Sequence, residues 1–213
     1  MASISFEVLS QAQQGLLPKI GFLKKKGFYL GGGTGLALHL KHRSSIDFDF
    51  YTPSDFDVST LLYLFRKEVE QVVFIQSDEN TLSVRLNGVE TSLFTYPYTL
   101  LRPLIQTEYI DIASLEDIAA MKLIAIIQRG NRRDFLDIYF LIKELGLEKI
   151  ISLSKEKYPH FNQYAALQGL LYFEDAEKEN LSDREIEMFR KTDWEEVKGF
   201  IIKEVRKFRK ELS

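Results

Sequence analysis

Apolar residues at helical spacing open the chain: Phe6, Leu9, Leu16, Leu17, Ile20 and Leu23 predict helix over residues 4–26. The run ends in Lys24-Lys25-Lys26-Gly27, where lysines suit the negative end of a helix dipole and glycine suits its cap. "FYL" then predicts a short strand entering Gly31-Gly32-Gly33, and helical character resumes from Thr34 to Lys41. Between Ile46 and Tyr51 the period falls to two, apolar alternating with acidic, as in a half-buried strand. "DVSTLLYLFRKEVE" predicts an amphipathic helix begun by Asp57 or Ser59. "QVVFIQS", "TLSVRLN" and "VETSLFTY" are β-rich runs parted by polar turns, and Asn87-Gly88 is a strong hairpin signal. Pro97 and Pro103 punctuate the chain before "YIDIAS", one more short strand.

From Ser114 onward the alternation stops and helical patterns take over. Ser114 with Asp117 resembles a capping box ahead of "LEDIAAMKLIAIIQR", with Asp134 placed where the N-cap of the next helix belongs. Gly130 and Asn131 separate that helix from "RRDFLDIYFLIKELG". Further helices are predicted in "EKIISLSKEKY", "FNQYAALQGLLYF", "REIEMFRKT" and "WEEVKGFIIKEVRKFRKEL". The chain thus divides into an α/β half, residues 1–112, and an all-helical half, residues 113–213.

Composition narrows the function classes. With 45% apolar and 28% charged residues the chain has the makings of a folded core, not of a disordered segment. A net charge of −3 offers no global basic field, so any polyanion site must be local. Lys24–Lys26 and "KEVRKFRKEL" are such local patches, although basic helix ends are ordinarily just solvated. The absence of cysteine excludes disulfides and thiolate metal sites and fits a reducing compartment. "MASISFEVLSQAQQGLLPKI" lacks the make-up of a signal peptide, and no apolar run is long enough for a membrane span. A cytoplasmic protein with no membrane partner is expected.

The chemistry concentrates in "YLGGGTGLALHLKHRSSIDFDFYT". On a strand, Asp47 and Asp49 point one way while Phe48 and Phe50 point the other. Adjacent carboxylates at neutral pH suit a divalent cation, and an all-oxygen pair favours Mg²⁺ or Mn²⁺. A strand, glycine turn and helix start offer bare backbone N–H groups to phosphate, with Thr34 adding a hydroxyl. The stretch matches neither G-x-x-x-x-G-K-[ST] nor G-x-G-x-x-G, since position 36 is leucine.

These residues resemble the AbiEii/AbiGii-type nucleotidyltransferases, a branch of the DNA polymerase beta-like superfamily. Gly32, Gly33 and Thr34 match that family's turn, with Gly35 in place of the usual alanine. His42, Arg43, Ser45, Asp47 and Asp49 match its His-Arg-x-Ser step and Asp-x-Asp strand. Lys122-Leu123-Ile124-Ala125 and Arg133-Asp134-Phe135-Leu136-Asp137 match two later motifs, and "TSLFTYPYTLLRPL", "ASLEDIAAMKL", "YFEDAEKE" and "WEEVKGFI" look like family segments. The resemblance implies an α+β fold with a mixed sheet flanked by helices, followed by a helical domain. It implies transfer of a nucleotidyl group from a nucleoside triphosphate to an acceptor hydroxyl, tRNA or another RNA, by a toxin with a cognate antitoxin. In that reading Asp47 and Asp49 hold Mg²⁺ or Mn²⁺. Gly32, Gly33 and Thr34 cradle the β- and γ-phosphates, with Arg43 and Ser45 nearby. Lys122 neutralises phosphate charge, and Asp137 supports Lys122.

One departure stands out. Polymerase beta-like transferases often carry a third carboxylate on a neighbouring strand, and the matching position here is Ser92. Either Glu90, two residues earlier on the same strand face, serves as the base or the base is absent; His42 is better suited to a structural or phosphate-contacting role. A non-catalytic nucleotide-binding or protein-interaction member of the fold is therefore the rival expectation. A metal-dependent phosphodiesterase is weaker, because the histidines are only His39, His42 and His160.

Overall fold

Residues 4–179 and 186–211 of the computed structural model are described below. They fall into two units, residues 1–114 and residues 115–213.

The first unit opens in pieces. The helix predicted over 4–26 is broken into 3-10 turns at Phe6–Val8 and Leu17–Ile20 and two short helices, α1 (Gln11–Leu16) and α2 (Phe22–Lys25). Local chemistry explains the breaks. Ser10 and Gln13 form a capping box that begins α1 afresh, and Pro18 lacks the N–H that a continuous helix would use. The apolar spacing still does its work, since Leu9, Leu16, Leu17, Ile20 and Leu23 are all buried. Gly27, at φ +79°, ends the segment in the left-handed region.

The strands and helices that follow are β1 (Tyr29–Leu30), α3 (Gly32–Leu40), β2 (Phe48–Thr52), α4 (Val58–Glu68), β3 (Val72–Asp78), β4 (Thr81–Leu86), β5 (Val89–Thr95), β6 (Ile105–Gln106) and β7 (Asp111–Ile112). Among the described residues they build one mixed sheet in the order β3-β4-β5-β2-β1-β7-β6. β4 and β5 form the predicted hairpin, with Asn87 at φ +47° and Gly88 at φ +88° supplying the backbone that a tight two-residue turn demands. α4 starts at Asp57, whose carboxylate accepts the Thr60 N–H at 2.6 Å. β6 has no counterpart in the sequence reading; two residues are too short to show a period.

The sheet has two unlike faces. Phe48, Phe50, Leu82, Val84, Leu86 and Leu93 point into one apolar core with Leu16, Ile20, Leu23, Leu61 and Phe65. Full burial of Phe48 and Phe50 contributes roughly 1.5–3 kcal/mol each, and it fixes which way β2 faces. The residues that alternate with them, Asp49 and Tyr51, therefore stand on the other face beside Ser92 and Phe94 of β5 and Ser83 of β4. The outer strand β3 leaves Val73, Phe74 and Ile75 exposed, with an irregularity in its pairing between Phe74 and Gln76.

The second unit is helical: α5 (Leu115–Gln128), α6 (Arg132–Leu145), α7 (Leu147–Lys157), α8 (Gln163–Gly169), α9 (Glu174–Lys178) and α10 (Trp194–Glu211). α6 is capped by Asn131, whose side chain accepts the Asp134 N–H at 3.0 Å, so the expected cap at Asp134 moves three residues upstream. α8 is shorter than predicted. Of the helix expected in "REIEMFRKT", residues 184 and 185 lie outside the described residues and 186–192 are not helical. Asp117 accepts the Lys157 ammonium at 2.7 Å with both side chains fully buried, a tie between α5 and α7.

Candidate active site

β1 runs into Gly31, whose N–H donates to the Asp49 carbonyl at 2.9 Å, so the glycine turn and the acidic strand are joined through backbone. Gly32 has φ +60°, and a Cβ there would lie 2.3 Å from Asp49 Oδ2. Glycine is thus needed at 32 both for its conformation and for the space the Asp49 carboxylate takes. A Cβ on Gly33 would meet an Arg43 guanidinium nitrogen at 2.7 Å and Ser45 Oγ at 3.3 Å. The sequence reading assigned the bare backbone wholly to a ligand; much of that space holds the protein's own Asp49 and Arg43. The helix-start amides are another matter. Gly35 is the first residue of α3 to donate back along the chain, to Gly31 at 2.8 Å, so the amides of residues 32–34 precede the intrahelical ladder.

Thr34 is 1% exposed, and its hydroxyl lies within hydrogen-bonding reach of Ser45 Oγ at 2.8 Å and of the Asp47 carbonyl. Gln13 Nε2 donates to the Ser45 carbonyl at 2.9 Å from α1. Thr34 and Ser45, expected as ligand contacts, are therefore placed as pins that hold the approach to Asp47. Arg43 is 2% exposed and donates through Nη1 to the Ser44 carbonyl at 2.8 Å. Its permanent charge adds to the positive end of the α3 dipole. His42 is fully buried.

Asp47 and Asp49 are half-buried. Asp49 stands in register with Ser92 on β5, and Ser92 with Ser83 on β4, the two hydroxyls 3.1 Å apart. A serine thus occupies the neighbouring-strand position next to Asp49. Glu90 shares that face two residues away, half-exposed and 3.4 Å from Arg85. Among the described residues no three His, Cys, Asp or Glu side chains converge as a closed metal cage. Asp49, on the face of the sheet opposite the core, and Asp47, just before β2 begins, are hard oxygen donors of the kind that suit Mg²⁺, which draws most of its ligands from water and substrate phosphate.

In the second unit, Lys122 of α5 is 5% exposed and sits between Asp134 Oδ1 at 3.0 Å and Asp137 Oδ2 at 2.6 Å. Arg129 also reaches Asp134, through Nε at 2.8 Å and Nη2 at 3.2 Å. Burial pushes the Asp134 carboxyl up, but the Lys122 charge and the Arg129 hydrogen bond prevail and hold it below the usual aspartate value. Two cations and two carboxylates compose the cluster. Asp134 was absent from the expected site because, read locally, an aspartate just before an apolar run means a cap.

The family model "Nucleotidyl transferase AbiEii toxin, Type IV TA system" matches residues 84–210, starting downstream of Asp49. An uncharacterised protein of Aquifex aeolicus is 37% identical over 187 residues, covering 85% of this chain and 87% of that one. The crystal structure of JHP933 from Helicobacter pylori shares the fold with a TM-score of 0.61 at 17% identity, over 99% of this chain and 95% of that one. MenT4, a nucleotidyltransferase toxin from Mycobacterium tuberculosis, does so with a TM-score of 0.57 at 16% identity, over 91% and 80%. No helix among the described residues is long and apolar enough to cross a membrane.

Proposed function

From the premise that the chain belongs to the AbiEii family of nucleotidyl transferase toxins, we propose that the Asp47–Asp49 strand and the start of α3 are its nucleotidyl-transfer site. The observation that carries this is the backbone bond from Gly31 to Asp49, which sets a carboxylate directly over a helix N-terminus. That pairing suits a triphosphate: the amides of residues 32–34 receive phosphate oxygens, and Arg43 supplies positive charge from behind the turn. Asp47 and Asp49 would hold Mg²⁺ or Mn²⁺, which when bound supplies charge neutralisation at the phosphates. Thr34 and Ser45 keep Asp47 in place. Glu90 takes the proton of the acceptor hydroxyl. The acceptor is RNA, tRNA included, the setting is the cytoplasm, and a separately encoded antitoxin opposes the activity.

The test is transfer of label from each α-labelled nucleoside triphosphate, with Mg²⁺, into total RNA and total protein. We expect labelled RNA with the wild type and at least a hundredfold less with Asp47→Asn/Asp49→Asn, on the scale of several kcal/mol of lost charge stabilisation. Undiminished labelling by the double variant would remove the two aspartates from the site. Ser92 beside Asp49 favours a second reading, nucleotide binding without transfer. Retained triphosphate binding with label in neither fraction would select it.

A further inference from the structure

The carboxylate face of the sheet carries a second row of side chains that the proposed chemistry does not use. Tyr29, Tyr51 and Phe94 stand in register on β1, β2 and β5. Their rings stack side by side: Tyr29 to Tyr51 at 6.0 Å and 28°, and Tyr51 to Phe94 at 5.3 Å and 25°. Tyr96 closes on Tyr51 edge-on at 5.3 Å. Next in the row, opposite Phe94 on β4, the residue is Thr81. The ladder of rings therefore stops at Phe94, and the change from ring to threonine is a step down in side-chain size. Phe94 and Thr81 are both half-buried, so the step is open to solvent in part.

The row lies two residues along from Asp49 and Ser92, and Thr81 is also two strands across from β2, so the step is about 12 Å from Asp49 at ordinary strand rise and spacing. A ligand whose phosphates sit at Asp49 would need an aromatic ring one sugar further on to fill that step. The geometry points to a nucleobase subsite: a purine or pyrimidine stacks on the outer face of Phe94, over Thr81, as the next rung after Tyr29, Tyr51 and Phe94. Stacking on a ring face tolerates any base, so the subsite supplies affinity and placement more than base identity. This rests on the proposed phosphate site, and the base belongs either to the nucleoside triphosphate or to the acceptor strand.

Equilibrium dialysis tests it without turnover, using labelled nucleoside triphosphates in one arm and a short single-stranded RNA in the other. Phe94→Leu removes the ring at similar volume, and Thr81→Tyr fills the step with a ring of the protein's own. Both variants are expected to weaken binding about tenfold, within the range for one stacked base. Weakening in the triphosphate arm assigns the substrate base, and weakening in the RNA arm assigns the acceptor base. Unchanged binding of both ligands by Thr81→Tyr overturns the subsite, as does a wild type that binds neither. Thr81→Tyr decides the matter if Phe94→Leu fails to fold, judged by circular dichroism. The transfer assay on Asp47→Asn/Asp49→Asn separates the two failures: undiminished transfer there removes the phosphate site on which the subsite rests, whereas lost transfer there with unchanged binding by Thr81→Tyr overturns the subsite alone.

Discussion

Asp49 in the first unit and Asp117 in the second are both acidic side chains set by neighbouring elements, yet they are held in opposite ways. Asp117 is fully buried and closed by the Lys157 ammonium at 2.7 Å. Asp49 stays half-buried, fixed through its backbone by Gly31 and accommodated by the missing Cβ of Gly32. The difference shows two ways for a fold to place a carboxylate. A backbone bond and steric room place Asp49 at the edge of solvent, whereas a buried lysine holds Asp117 by neutralising it. The Lys122 cluster follows the second pattern, with Asp134 and Asp137 both closing on one ammonium.

If that contrast holds, breaking each type of site should do different damage. The largest effect on stability falls on the buried pair. Lys157→Met leaves the Asp117 carboxylate without its cation in the core and should cost about 3–5 kcal/mol in urea denaturation. Adding Asp117→Leu should recover most of the loss, because two apolar residues suit the α5–α7 contact; a double variant as unstable as the single would mean the ion pair itself is stabilising.

Gly32→Ala comes next. It combines a left-handed φ with a Cβ 2.3 Å from Asp49 Oδ2, so about 1–3 kcal/mol of strain is expected together with a displaced carboxylate. The companion change Gly15→Ala, in α1 with nothing within 4 Å, should be neutral or stabilise by up to about 1 kcal/mol. Thermal melts of the two variants compare them directly, and equal melting temperatures would refute the steric account of Gly32.

The smallest effect concerns Asp134. Its depressed value in the folded chain contributes stability that is fully present above its unfolded value, about pH 4, and is lost as pH falls through the folded value. Arg129→Gln removes the more exposed of its two cations and should move the onset of acid unfolding upward by a modest amount. An acid transition unmoved by that change would assign the depression to Lys122 alone.

Much of this was readable in the sequence, and the rest failed for identifiable reasons. The alternation of Phe48 and Phe50 with Asp49 foretold the two faces of β2, because one buried face fixes the other, although the strand begins only after Asp47. Asn87-Gly88 marked its hairpin because only a few residues tolerate that backbone. The reading erred where a local signal had a distant partner. Asp134 looks like a cap within its own segment, and only the packing of α5 against α6 brings Lys122 to it while Asn131 takes the capping role. Lys157 and Asp117 lie 40 residues apart, with nothing in either neighbourhood to announce the pairing. The glycines mark a turn that needs bare backbone, but that Asp49 and Arg43 take up much of the space is visible only in the turn's geometry. No local signal announces the aromatic row, because its members come from three strands and meet only when the sheet is assembled.

The outer strand β3 has a consequence for the colloid chemistry of the protein. Val72–Asp78 presents a seven-residue sheet edge without lysine or proline, and three of its apolar side chains, Val73, Phe74 and Ile75, are exposed. Such an edge lacks the usual guards against pairing with a neighbour, save for the irregularity between Phe74 and Gln76. Concentrated solutions will therefore be limited by contacts at this rim, and a single lysine at position 75 is the economical way to raise the ceiling.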